Sequence, residues 1–486
     1  MKMRIENDSL GGLEVPADVY YGIQTTRVAG NYLVSDHTFN EYTPVMKAIA
    51  EIKKACAITN AQIGSLDPAK ADAIAQACDE LIAGQFDGQF PINIWRSQGT
   101  GTNMNVNEVV ANRANEIMTG HRGYDMVHPN SHVNMCQSSN DVFPTAEAIV
   151  FYRKIGELCE SAKHLEEVLA DKALELINTT RLGRTGLQDA VPMTWGQVIG
   201  GWQSMIRRNR LGLEAYRPTF QEVVIGGTIL GTGMGVQPGY MDHIYTNLSK
   251  VVGFEVHHPV MVGEVIEDSA VFDGMRNTDH QMMLMAHVKA LASCLSRMSN
   301  DLILCASGPR DGLNEVIFPD TVPEAAGLQA QGTPYVPELM VQVFGQVQAL
   351  ELAATFAANE GQLDHGSFNS GAVLKVYDAL VLVDSALRLF ADECISQIKI
   401  NEEVCRLNAE LSTSLSTMVS SLYGYPTGVK IAKLALAENI SCKEATLKEN
   451  ILPEDVAEEL FNVKKLTDRH AMVAMFEKYK TLKKVS

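Results

Sequence analysis

Between about residues 145 and 179, apolar side chains recur mostly at three- and four-residue steps: Ile149, Ile155, Leu158, Ala162, Leu165 and Leu169. No other feature constrains this chain as much. A helix well beyond 25 residues buries such a stripe only against helices of similar length. Further long patterns run over about 194–219, 277–305, 336–364 and 371–398, and Gly308-Pro309 stops the 277–305 pattern. A helix of about 30 residues spans roughly 45 Å. The expectation is a mainly α chain with an elongated central helical bundle, completed by other subunits and flanked by two smaller domains. The division expected is 1–142, a central long-helix domain at 143–398, and a small helical domain at 399–486. Shorter helical patterns lie at about 43–62, 68–84 and Glu108–Met118, and in the tail beyond 400.

Composition excludes several function classes. With 486 residues, 46% of them hydrophobic, the chain can bury a large core. A net charge of −18 argues against a nucleic-acid or anionic-membrane surface. No run of about 20 apolar residues is present, so no membrane span is expected. The polar start Met-Lys-Met-Arg-Ile-Glu-Asn-Asp lacks a signal-peptide core, which favours the cytoplasm. The nine cysteines form no Cys-x-x-Cys pair and read as reduced core thiols.

Four segments are unusual for a plain bundle: Gly99-Thr-Gly-Thr-Asn-Met-Asn, Gln137-Ser-Ser-Asn-Asp, Gly183-Arg-Thr-Gly-Leu-Gln-Asp-Ala-Val-Pro-Met, and the Gly- and Pro-rich stretch from Ser307 to Pro337. The first three offer hydroxyls and amides with few charges. Such groups bind carboxylates and, when held in place, stabilise developing oxyanions. Each also has a plain structural explanation. Ser138 and Ser139 suit the cap of the helix that follows, and Thr185 suits a turn.

Taken together, these segments resemble the aspartase/fumarase superfamily, most closely its aspartate ammonia-lyase branch. The likeness runs from Val15-Pro-Ala-Asp-Val-Tyr-Tyr-Gly through Asn103-Met-Asn-Val-Asn-Glu, Leu187-Gln-Asp-Ala-Val-Pro-Met-Thr and Gly231-Thr-Gly to Ser307-Gly-Pro-Arg and Gly361-Gln-Leu. The resemblance implies a homotetramer around a twenty-helix core, active sites shared by three subunits, and a small amino-acid-like substrate. It implies no cofactor or metal and no nucleic-acid or membrane partner. It also implies an elimination in which a base removes a proton beside a carboxylate and an amine or hydroxyl leaves. Thr100, Ser138 and Ser139 resemble the family's carboxylate-clamping hydroxyls, and Asn140 and Thr185 its groups around the other carboxylate and the leaving group; Thr102, Asn103 and Gly186 join them in the expected substrate-binding set.

The departures are specific. The family's signature loop reads Gly-Ser-Ser-x-Met-Pro-x-Lys-x-Asn-Pro. Here Glu324-Ala-Ala-Gly-Leu-Gln-Ala-Gln-Gly-Thr-Pro334 occupies that place, so the serine base is an alanine, the lysine is Gln331 and the asparagine is Thr333. Gly186 stands where many relatives carry histidine or glutamine. Glu324, Tyr335, His365 and Lys375 are the candidate replacement catalytic groups, chosen by placement in or near the altered segments, as is Asp364. Lys375 has an equally simple role pairing with Asp378, and His365 as a core histidine on a long helix. One superfamily member, ergothionase, eliminates trimethylamine from ergothioneine to give thiourocanate, and the altered site is compatible with that reaction. Aspartate ammonia-lyase chemistry and a catalytically inactive binding protein are the alternatives.

Overall fold

A computed structural model describes residues 2–31, 35–95, 100–261, 263, 265–319, 332–360, 363–366 and 369–482. The chain is mainly α. It begins with a hairpin, β1 (Met3–Asp8) and β2 (Gly11–Pro16), then α1 (Ile23–Asn31), α2 (Thr43–Gln62), α3 (Pro68–Ile82) and α4 (Thr100–Thr119). The long α5 (Ser139–Glu175) leads to a second hairpin, β3 (Thr180–Thr185) and β4 (Gln188–Thr194), and to α6 (Trp195–Tyr216). Next come α7 (Ile244–Val252), α8 (Ser269–Arg276), α9 (Asp279–Cys305), β5 (Val316–Ile317), α10 (Tyr335–Asn359), α11 (Asn369–Phe390) and β6 (Lys399–Ile400). Short helices finish the chain: α12 (Glu402–Leu411), α13 (Ser416–Tyr423), α14 (Tyr425–Glu438), α15 (Cys442–Lys448), α16 (Glu454–Leu460), α17 (Val463–Leu466) and α18 (Arg469–Lys478). Three two-stranded antiparallel ladders, β1–β2, β3–β4 and β5–β6, are its only named sheets among the described residues.

The periodic patterns at about 145–179, 194–219 and 277–305 formed the helices expected of them. On α5, Ile149, Ile155, Leu158, Ala162, Leu165 and Leu169 are all fully buried, and 37 residues give a rod of roughly 55 Å. Pro144 lies inside α5 and removes the N–H that would close on Asn140. Pro68 opens α3, where the Asp67 carboxylate accepts the Ala69 N–H.

Two compact units emerge from the packing, and their boundaries fall inside the long helices. The first comprises residues 1–159, 211–289 and 346–382. Its core includes Ile49, Ile52, Ile74, Val106, Val110 and Phe151, all fully buried. The second comprises residues 160–210, 290–345 and 383–486. Among its elements, the C-terminal helices close on one cluster built around Ala409, Val419, Ile431, Cys442, Ala445 and Leu460.

Three sequence expectations need correction. The Gly-broken loop expected to lead into a helix at Glu108 is already helical from Thr100. Its amides are tolerated because they have tertiary partners: Asn105 donates to the Gln89 carbonyl, Asn112 to that of Tyr20 and Asn115 to that of Val127. His365 is not on a helix, because α10 ends at Asn359. The helix expected over 371–398 is α only to Phe390, and a single π turn, Ala391–Ile395, follows. Gly424 ends α13 with φ 89°.

Candidate active site

In the first unit the polar motifs converge on a buried amide cluster. Thr102 and Asn103, on the first turn of α4, are each 1% exposed. Asn103 donates through Nδ2 to Ser139 Oγ at 2.9 Å and to Asn134 Oδ1 at 3.1 Å. Asn107, one turn further along α4, donates to the same Asn134 oxygen at 3.3 Å. Lys53 of α2, fully buried, donates to Asn134 Oδ1 at 2.8 Å and to Gln137 Oε1 at 2.7 Å. Burial pulls the Lys53 ammonium down to about 8.

The Ser138–Asp141 turn opens α5 and carries the second half of the arrangement. Ser138 Oγ accepts the Asn140 N–H at 3.3 Å, so Ser138 does have the capping role considered for it. Ser139 is instead engaged by Asn103. Asp141 accepts three backbone N–H groups, from Ser138 (2.8 Å), Gly226 (3.0 Å) and Thr228 (2.9 Å). Burial pushes its carboxyl up to about 7 against those donors and Lys53. Asn140 donates to the Ile229 carbonyl at 2.9 Å. The 226–229 segment is thus held against the head of α5 from two sides. Asn103 Oδ1 and Thr228 Oγ1 are buried with no hydrogen-bond partner among the described residues. The unpartnered end of Asn103 is an acceptor oxygen, so the donors this cluster can offer an anion are the hydroxyls of Ser139 and Thr228.

In the second unit, Thr185 pairs with Gln188 at the end of β3–β4. Gly186 and Leu187 form the two-residue tip, both with positive φ (57° and 62°). A Cβ added at Gly186 meets nothing within 4 Å among the described residues. The base of the hairpin is fixed by charge. Glu315, with no exposure, takes Arg184 at 2.6 Å and Arg181 at 3.4 Å. The Arg181 guanidinium also lies 4.2 Å from the centre of the Trp195 ring. Glu315 precedes β5, so these contacts tie the hairpin to the root of the signature loop.

The candidate catalytic groups are placed as follows. Glu324 and Gln331 lie outside the described residues. Thr100 opens α4. The Thr333 carbonyl accepts the Tyr335 N–H at 2.9 Å, and Tyr335, the first residue of α10, is 44% exposed. Lys375 pairs with Asp378 at 3.5 Å and stands 5.3 Å from the centre of the Trp95 ring. The simple ion-pair reading of Lys375 therefore holds, on a partly buried face. His365 is partly buried, and its Nδ1 has no hydrogen-bond partner among the described residues. Asp364 is exposed.

Lys53, Asn107, Asn134, Asp141 and Glu315 were not singled out from sequence as site groups. Lys53 carries a signal: with Ile49, Ile52 and Cys56 it falls on the apolar face of α2. Among the described residues, no group of three or more His, Cys, Asp or Glu side chains is placed to hold a metal ion. An open cleft of about 1010 Å³ in the second unit is lined by Glu403, Arg406, Glu410, Lys443 and Glu458 among others. Those charges are matched to one another, Arg406 with Glu403 and Glu410, and Lys443 with Glu458.

The protein family described as "Lyase" matches residues 11–347. An aspartate ammonia-lyase from Helicobacter pylori is 35% identical over 480 residues, which cover 98% of this chain and all of that protein. A class II fumarate hydratase from Campylobacter jejuni is 36% identical over 462 residues, covering 94% and 96%. Among solved structures, a fumarate lyase:delta crystallin from Brucella melitensis matches with a TM-score of 0.92 at 33% identity, over 96% of this chain and all of that one. A class II fumarase from Schistosoma mansoni matches at 0.88 and 30%, with the same coverage.

Proposed function

Because the chain belongs to the aspartase/fumarase superfamily of lyases, we propose that it eliminates an amine from a small amino-acid-derived substrate without a cofactor, and that ergothioneine is the first substrate to test. The observation that carries the reading is the built clamp, in which Asn103 engages Ser139 over a buried cation. A clamp of this kind suits a substrate that gathers negative charge in the transition state.

The altered loop supports a substrate other than aspartate. Alanine cannot accept a proton, and without the loop lysine a charge-assisted contact worth about 1.5–3 kcal/mol is missing. Open space at Gly186 supports a bulky leaving group. In ergothioneine, a base removes a proton from the carbon beside the imidazole-thione ring. The C–H electron pair becomes the new C=C bond as the C–N bond breaks, and nitrogen keeps its pair. Trimethylamine leaves neutral, so it requires no proton from the enzyme. Glu324, Tyr335, His365 and Lys375 remain the candidates for base and ring acid. Thr100, Thr102, Ser138, Asn140, Thr185, Gln331 and Thr333 complete the substrate-binding set proposed.

The second reading is aspartate ammonia-lyase; a protein of that name is 35% identical, as a class II fumarate hydratase is at 36%, and the retained Thr100, Ser138, Ser139, Asn140 and Thr185 support it. Absorbance assays on the purified protein separate the two. Ergothioneine should yield a thiourocanate band with free trimethylamine, whereas aspartate should yield fumarate with ammonia. Activity on neither, in a folded protein, supports the third reading, a binding protein without catalysis.

Assembly as a homotetramer in the cytoplasm, with sites shared by three subunits, is part of the same proposal. Its support is the surface of α10. That helix is apolar and long enough to cross a membrane by length and composition, yet its most apolar window is only 28% buried. Leu352 and Phe356 are 73% and 69% exposed, an apolar face that other copies of the bundle would cover.

A further inference from the structure

We infer that Lys53 is a positioning residue for the clamp: acting through Asn134 and Asn103, its ammonium sets the direction of the hydrogen bond at Ser139, so that the Ser139 hydroxyl proton is left to donate to the substrate. What that proton binds rests on the lyase reading above; the direction of the bond does not.

An ammonium group has three donors and no acceptor. Its contacts with Asn134 Oδ1 (2.8 Å) and Gln137 Oε1 (2.7 Å) therefore decide which end of each amide faces it. Gln137 is held in that sense from behind, because its Nε2 donates to the Val133 and Met135 carbonyls. Asn134 is held likewise, with Nδ2 donating to the Gln137 carbonyl at 3.3 Å. With the Asn134 oxygen committed as an acceptor, Asn103 must bring its NH₂ end to it. That same NH₂ donates to Ser139 Oγ. A hydroxyl has one proton, and Ser139 accepts on this side, so its proton is free on the other.

Were residue 53 apolar, the Asn134 amide would lose its shortest contact, and only the two 3.3 Å contacts, to the Gln137 carbonyl and from Asn107, would oppose a turn. A turned Asn134 would favour a turned Asn103. Ser139 would then donate inward to Asn103 Oδ1, the atom that now has no partner among the described residues, and the clamp would lose its donor. This accounts for a lysine buried among apolar neighbours at a position where a bare cation costs stability.

The test compares the full-length wild type with Lys53→Met and Lys53→Gln, by neutron crystal structure, which tells amide nitrogen from oxygen, and by steady-state kinetics on ergothioneine and aspartate. The expected structural result in Lys53→Met is a turned Asn134, with the Nδ2 contact to the Gln137 carbonyl lost. The expected kinetic result is a fall in kcat of more than about tenfold with a smaller change in KM, since the donor matters most where charge develops. An unchanged amide network, or both kinetic constants within about twofold of wild type in a folded variant, overturns the inference. If the wild type acts on neither substrate, the functional reading falls and the crystal structures alone decide this one. If neither variant folds, neutron diffraction from the wild type reads the Ser139 proton directly. A proton directed at Asn103 overturns the inference, and one directed away from it upholds it.

Discussion

At the residue scale, two positions hold side chains or backbone that their surroundings must support. Lys53 sits with its pKa near 8, below the ordinary 10.5, because burial penalises its charge. For a group whose pKa is depressed in the folded state, the stabilisation is fully present above the unfolded value and is lost as pH falls through the folded one. Wild type should therefore gain on Lys53→Met as pH rises from about 8 toward 10.5, by at most about 3 kcal/mol. Urea midpoints at pH 7.5, 8.5 and 9.5 check this; a constant difference between the two proteins would contradict it. Gly186 is the second position. Its φ of 57° suits glycine, and an added methyl group meets nothing within 4 Å among the described residues. Gly186→Ala should cost only about 1 kcal/mol by thermal denaturation. Gly186→His should in addition lower turnover of a trimethylammonium substrate, by filling the space the leaving group needs.

At the element scale, the β3–β4 hairpin depends on one buried carboxylate. Glu315→Gln leaves Arg181 and Arg184 without their counter-charge, and removing one partner of a buried pair typically costs about 3–5 kcal/mol. A Tm lowered by several degrees, with the hairpin tip disordered in a crystal structure, is the expected outcome. Elements also show what was legible in the sequence. α2, α5 and α9 were readable because an apolar period has one geometric meaning over 20 or more residues. The start of α4 was not, since Asn103, Asn105 and Asn107 prefer caps and turns in isolation, and only tertiary contacts tell which carbonyls they meet. For the same reason Ser139 was placed in the site from its motif while the groups that aim it, Lys53 and Asn134, were not. Lys53 showed only as a charge on an apolar helix face, and Asn134 as one amide among many. His365 was misread as helical because the apolar pattern of α10 fades gradually, whereas the helix ends at Asn359.

At the scale of the whole molecule, the proposed sites need more than one chain. The uncovered apolar face of α10 predicts that Phe356→Glu and Leu352→Glu, alone or together, shift the protein to smaller species in sedimentation velocity. Activity should fall with the assembly, since the proposed sites draw on three subunits. A variant that remains assembled and active would remove α10 from the interface. Family membership accounts for the fold and for lyase chemistry, while the loop from Glu324 to Pro334 sets this chain apart from the aspartate ammonia-lyase pattern. Purified wild-type protein incubated with ergothioneine, with absorbance and released trimethylamine followed together, tests that distinction most directly. Equal amounts of thiourocanate and trimethylamine are expected, and no fumarate from aspartate under the same conditions. Fumarate and ammonia from aspartate, with ergothioneine untouched, would contradict it.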